Sequence, residues 1–372
     1  MNHLQLAFRN LKRRPARSIL TVLGVAVAVG SFITLYGLSR SVAENVQQSF
    51  EERGTDLTVR RRGIAEPFGG TMPQSLTLEI AKVPGVTDVS GQLLSFAATD
   101  NDDHVIAFGW ADDSFYWRSV PLAEGRIPSP GERKVALIGK DIARTLDKHL
   151  GDDVTLLGDR FHIVGITNYT SVINRNAVIV GLADLQEVTF RTGAVTYISV
   201  KLAHPEDKAE SDRVAASIEA LGQLTATKSD STMKNDSLVG LLSAVSSSMA
   251  WVALLMGVLM VLNTLLMAVL ERTREIGILS AIGWSKERIM GALVIEGFLL
   301  SALGSGLGIV LGIGGSRLLS AIPAIGRYIA VRPTPGLIIV TAIAAIALGI
   351  LGSFYPAFMA TRASPAEALE RA

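Results

Sequence analysis

The sequence predicts a multi-pass α-helical membrane protein: four transmembrane helices, with a large extracytoplasmic α/β domain between helices 1 and 2. Three observations predict this. Four long uncharged apolar runs divide the chain, Lys and Arg gather on one side of those runs, and a long stretch of mixed strand and helix patterning separates the first run from the second.

Composition sets the class. Of 372 residues, 49% are hydrophobic and 19% charged, which favours a membrane chain and leaves room for more than one domain. A net charge of +1 offers no field for nucleic acid, so no nucleic-acid partner is expected. The absence of cysteine excludes disulfides and thiolate metal sites without naming a compartment.

The spans follow in order. Ile19 to Leu38 carries no charge, and its 20 residues at about 1.5 Å each match a hydrocarbon core of about 30 Å. Ala250 to Leu270 is the second run. Gly297 to Ser316 is the third, reaching back through Glu296 towards Ile289, and Gly336 to Ala360 is the fourth. The first run has a basic front, but it is longer than a signal-peptide core, so a retained anchor is expected. The expected boundaries are an interfacial helix over 1–17, spans over 18–39, 243–270, 289–316 and 336–360, an external loop over 317–335 and a cytosolic tail over 361–372.

Charge sets the orientation. Arg9, Lys12, Arg13, Arg14 and Arg17 precede the first span, Arg272, Arg274, Lys286 and Arg288 lie between the second and third, and Arg362 and Arg371 follow the fourth. Basic residues are retained on the cytoplasmic side, so both termini and the charged segment over 271–288 are expected there, with 40–242 outside.

That outer stretch reads as α/β. Asp56–Arg60 has a strand pattern, and Gln74–Val86 has helical spacing at Leu76, Ile80 and Val83, closed by Pro-Gly. Two strands follow, in "TDVSGQLLSFAAT" and "HVIAFGWA". Thr196–Ala203 is a further strand and Pro205–Leu221 an amphipathic helix. The two ends are expected to close one small sheet with helices on a face, and a β-rich lobe is expected as an insertion over about 122–194.

Catalytic motifs are missing. No phosphate-binding G-x-x-x-x-G-K-[ST] occurs, the histidines lack metal-ligand spacing, and there is no G-x-S-x-G elbow. No catalytic, cofactor-binding or metal site is expected. The membrane segments offer more. Gly304, Gly308 and Gly312 recur every four residues on one helix face, a pattern that suits close packing either within the chain or against a second copy. Glu296 is the acidic residue of the apolar runs, and its place near the cytosolic interface favours a structural role over transport. Asn263 is expected to bond between spans, and Pro356 to bend or end the last helix.

Four segments in register resemble the MacB/FtsX family of ABC transporter permeases, in its mechanotransmission type. They are "LAFRNLKRRPARSILTVLGVAVAV", "VALIGKDIARTL…LGDDVTLLGDRFHIVGI", "ERTREIGILSAIGWSKERIMGALVIEGFLLSALGSGLGIVLG" and "YPAFMATRASPAEAL". The resemblance implies a MacB periplasmic core-like outer domain. It also implies that the cytosolic helix after the second span docks on a nucleotide-binding subunit through Glu271, Arg272, Thr273, Arg274, Glu275, Ile276 and Gly277.

By the same resemblance, two copies of a separate ABC ATPase, holding ATP and Mg, pair with a homodimer of this chain or a heterodimer with a paralogue. MacB-like chains carry the ATPase fused ahead of the first span, whereas this sequence starts at the interfacial helix, so a separate ATPase is expected. The implied location is the bacterial inner membrane, with membrane lipid as surroundings. The implied work is expulsion of substrate from the outer side, with a periplasmic adaptor and outer-membrane channel as partners. Lipoprotein release to a carrier, as in LolC and LolE, or FtsX-like signalling to a cell-wall enzyme are the alternatives.

Overall fold

The computed structural model describes residues 15–62, 70–99, 104–228, 237–322 and 331–362. Most of the expected interfacial helix, the middle of the external loop (323–330) and most of the tail lie outside them. The chain divides into a membrane unit (1–40, 243–322 and 331–372) and an outer unit (41–242 and 323–330).

Four helices, Pro15–Glu51, Ala244–Glu271, Lys286–Ala321 and Pro335–Thr361, are long and apolar enough to cross a membrane. The first runs well past the expected end of its span at residue 39, because nothing between Leu38 and Glu51 breaks a helix. It ends at Glu51, and in the turn that follows the Gly54 amide donates to the Glu51 carbonyl while the Gly54 φ of 69° redirects the backbone. Pro356 does not end the fourth helix, which continues to Arg362. A membrane helix tolerates the lost amide where neighbouring helices hold it in place.

Within the membrane unit, the core is formed by Val25, Val29, Phe32 and Ile33 with Leu254, Val261, Leu265, Leu300 and Leu337. Glycines decide which helices touch. A Cβ on Gly304 would lie 2.6 Å from the Val25 Cβ, one on Gly308 2.6 Å from the Val29 Cβ, and one on Gly312 2.8 Å from the Ile33 Cβ. The four-residue repeat on the third helix therefore meets a four-residue repeat of β-branched residues on the first, and the stripe is filled inside one chain. The third and fourth helices lock reciprocally: Gly297 faces Ser353, and four residues on, Ser301 faces Gly349.

The outer unit is built on strands β1 (Leu57–Arg61), β2 (Met72–Pro73), β3 (Val86–Ala98), β4 (His104–Trp110), β5 (Leu122–Gly125), β6 (Val135–Gly139), β7 (Asp153–Leu156), β8 (Asp159–Thr167), β9 (Ala177–Gly181), β10 (Ala194–Val195), β11 (Tyr197–Leu202) and β12 (Leu224–Lys228). Ten of them form one sheet in the order β12-β1-β11-β3-β4-β9-β6-β8-β5, with β7 on β8, while β2 and β10 pair separately.

The stretch over 122–194, expected as an inserted lobe, instead extends this same sheet. Parallel pairing of β4 with β9 makes the join, from Ile106 opposite Ala177 to Trp110 opposite Gly181. Both faces of the join are buried, which accounts for the unbroken apolar runs "VALIG" and "AVIVG". Alternate residues serve opposite cores. Ala136, Ile138, Val178 and Val180 belong to the core covered by the helices Lys140–Thr145 and Leu182–Val188, and further along the same face Lys208–Glu219 covers β12. Val135, Leu137, Ala177 and Ile179 meet an aromatic layer of Phe108, Trp110, Phe115, Tyr116 and Tyr169. Helices thus cover one face of a large sheet, and aromatic side chains pack on the other.

Candidate functional site

The charged segment between the second and third spans folds as a short connector helix, Thr273–Ala281. Thr273 ends the preceding span: its hydroxyl donates to the carbonyls of Val269 at 3.1 Å and Leu270 at 2.9 Å. Arg272, at the N-cap position, leaves helical geometry at φ −110° and ψ 13°, so the chain turns there. Glu275 sits in the first helical turn, where a carboxylate is favoured by the orphan amides of a helix N-terminus. Gly283, at φ 94°, lets the helix close, and Arg288 then stacks over Trp284 at 4.7 Å from the ring centroid.

The connector has two faces. Gly277 is buried, and Ile276 packs against Val269, Leu293, Ala357 and Ala360, binding the connector to the second, third and fourth spans. Glu275 is exposed on the opposite side, with Ile278 46% and Ile282 70% exposed. Positions 275, 278 and 282 follow the three-and-four spacing of one helix face. That face offers a carboxylate and two isoleucines. Of the seven residues expected to contact an ATPase, Glu271 and Glu275 are exposed, and of these Glu275 lies on the connector's outer face; the Arg274 side chain lies outside the described residues.

Glu271 and Arg272 are engaged inside the chain. The Arg17 guanidinium lies 2.5 Å from the Glu271 carboxylate, and that of Arg272 lies 3.9 Å from Glu296. Glu296 is itself buried at 6% exposure. Asn263, expected to bond between spans, lies instead on the exposed side of the second helix. Its neighbour Thr264 does that work, with its hydroxyl 2.7 Å from that of Thr21. One residue, about 100° around the helix, separates the two, and periodicity over a uniformly apolar sequence does not resolve it.

In the outer unit, the end of the first helix is fastened to the sheet by a group that sequence patterning gave no reason to select. Arg53 is 2% exposed, donates to Gln92 Oε1 at 3.0 Å and to the Ser49 carbonyl at 2.8 Å, and lies 4.4 Å from the Phe108 ring centroid. Burial pulls its pKa down, opposed by the neighbouring Tyr116 and Tyr169, yet a guanidinium stays charged in proteins. Burial likewise raises the Tyr116 and Tyr169 phenols. Glu52 accepts from the amides of Thr170 at 3.0 Å and Ser171 at 2.8 Å, and Ser49 donates to Asn174 at 2.8 Å. Among the described residues, no group of three or more His, Cys, Asp or Glu is placed to hold a metal ion.

Two family models match the chain and agree with this architecture. Residues 18–221 match the MacB-like periplasmic core domain, and residues 247–365 match the FtsX-like permease C-terminal domain. An ABC transporter permease of Methanocaldococcus jannaschii is 23% identical over 98% of this chain and 97% of its own length. The ABC transporter permease YknZ of Bacillus subtilis is 23% identical over 99% of this chain and 98% of its own. The macrolide export ATP-binding/permease protein MacB of Marinobacter nauticus is 27% identical over 98% of this chain, which spans only 60% of that protein. The solved periplasmic region of MacB from Actinobacillus actinomycetemcomitans aligns with 50% of this chain and 96% of its own, at 13% identity and a TM-score of 0.39. With four membrane helices, an outer domain of the MacB core type and an FtsX-like C-terminal half, the chain belongs to the MacB/FtsX family of ABC transporter permeases.

Proposed function

We propose that this chain is the membrane subunit of an ATP-driven transporter whose ATPase is a separate protein, and that the connector helix Thr273–Ala281 is where that ATPase pushes. The observation that carries this reading is the connector's division into an anchored face, Ile276 and Gly277, and a projecting face, Glu275, Ile278 and Ile282. A groove on a partner takes the projecting isoleucines while a basic group meets Glu275, and the anchored face passes the displacement to the spans. Two ATPase copies, with ATP and Mg, act on a pair of these chains. Two helices, Pro15–Glu51 and Ser237–Glu271, contribute residues to both units and carry the movement towards the outer domain. Substrate is expelled from the outer side of the membrane, and an adaptor or carrier that receives it completes the system.

The test is recovery of the tagged full-length chain from its native membrane in mild detergent with nucleotide present. A P-loop ATPase at equal copy number is expected. Glu275→Arg combined with Ile278→Asp lowers ATPase recovery by about tenfold, as loss of a charged contact and an apolar anchor at one interface does, and membrane insertion is unchanged. Undiminished recovery with this double variant removes the connector from the contact.

A further inference from the structure

The step from the second span into the connector consists of two adjacent opposite charges, each held by a different helix. Glu271 pairs with Arg17 near the start of the first helix at 2.5 Å, and the two side chains are 27% and 28% exposed. Arg272 pairs with Glu296 of the third helix at 3.9 Å, and these are more enclosed, at 16% and 8%. Deeper in the bundle, the Thr21–Thr264 hydroxyl contact ties the same first and second helices that Arg17 and Glu271 join. Beside Glu296, Gly297 is pressed onto Ser353, where a Cβ would stand 2.6 Å from the Ser353 Cβ, so the rotation of the third helix at this level is set by packing.

We infer that Glu271 and Arg272 form a two-sided electrostatic clamp that orients the connector between the first and third spans. In this clamp Glu296 is the counter-charge of Arg272 and a positioning residue, not the carrier of a transported proton or substrate. An enclosed carboxylate among apolar helices is costly without a partner, and Arg272 supplies one. The order of the charges also excludes the exchanged arrangement, because Glu271 would then face Glu296 and Arg272 would face Arg17, like against like. The clamp therefore admits one orientation. A connector held in this way converts displacement of its outward face into movement of both neighbouring spans. That consequence, and not the clamp itself, rests on the proposed ATPase contact.

The test uses the full chain in detergent with the ATPase that accompanies it, in the forms Glu296→Gln, Arg272→Gln and the two combined. Because the chain has no cysteine, Ser285→Cys, at an exposed position just beyond the connector and outside its projecting face, added to each form gives a single thiol whose maleimide labelling rate reports connector position. Each single variant is expected to lower the thermal midpoint by about 5 °C or more, to raise the labelling rate, and to weaken ATPase retention by about tenfold. The double variant, which removes both members of the Arg272–Glu296 pair, restores all three towards wild type. If it remains as impaired as Glu296→Gln alone, Glu296 acts for itself and the clamp is wrong. If midpoint and labelling recover while retention never changed in any form, the clamp stands and the ATPase contact at the connector falls.

Discussion

Arg53 is the residue whose setting departs furthest from its type. A fully buried arginine with no carboxylate of the described residues within ion-pair distance is held by Gln92, by Ser49 and by the faces of Phe108 and Phe50. Its desolvation is offset by those donated hydrogen bonds and by the ring quadrupoles. Arg53→Met keeps most of the volume but strips Gln92 and Ser49 of a donor, and is expected to cost about 2 kcal/mol. The check is a lower thermal midpoint for the full chain, with Arg53→Lys in between, since an ammonium restores the charge but not the planar fork. Nothing in the segment "SFEERGTDL" distinguishes Arg53 from a solvated charge in a helix-ending turn. Only the placement of Gln92 and Phe108, dozens of residues away in sequence, makes it a core residue.

At the scale of elements, the membrane helices pack through small residues that meet in register. The Ser301–Gly349 contact is the closest of these: a Cβ on Gly349 would fall 1.7 Å from the Ser301 hydroxyl oxygen. Gly349→Ala is expected to destabilise by about 1–3 kcal/mol through overpacking, and Ser301→Gly in the same chain restores the midpoint by vacating the space. Failure of this rescue would show that the two helices are not in the register described. The glycine stripe at Gly304, Gly308 and Gly312 was legible in the sequence as a close-packing face. Its partner was not, because any helix with β-branched residues every four positions fits it, and Val25, Val29 and Ile33 supply that pattern in the same chain. The connector shows a similar division. Its existence and charge were visible, but Ile276 and Ile278 read alike in sequence, and only the packing of the neighbouring spans turns one inward and leaves the other out.

For the molecule as a whole, the basic residues flanking the spans are expected to hold the connector in the cytoplasm and the sheet domain on the opposite side. The cysteine-free sequence makes this directly testable. An Ile282→Cys thiol, 70% exposed at the end of the connector, is expected to react with an impermeant maleimide only from the cytoplasmic side. A Leu78→Cys thiol, at a position 69% exposed on the outer domain, is expected to react from the outside in intact spheroplasts. The reverse pattern overturns the orientation.

The sequence by itself determined the four spans, the α/β character of the outer domain and the MacB/FtsX membership, because these depend on local hydropathy, periodicity and motif order along the chain. The tertiary structure alone decided that residues 122–194 join one ten-stranded sheet, that the glycine stripe is filled by the first helix, and that Glu271, Arg272 and Glu296 are paired within the chain. Each of these is a contact between segments far apart in sequence. Strand partners, helix neighbours and ion pairs are chosen by shape and charge in three dimensions, and many partners are compatible with the same local pattern.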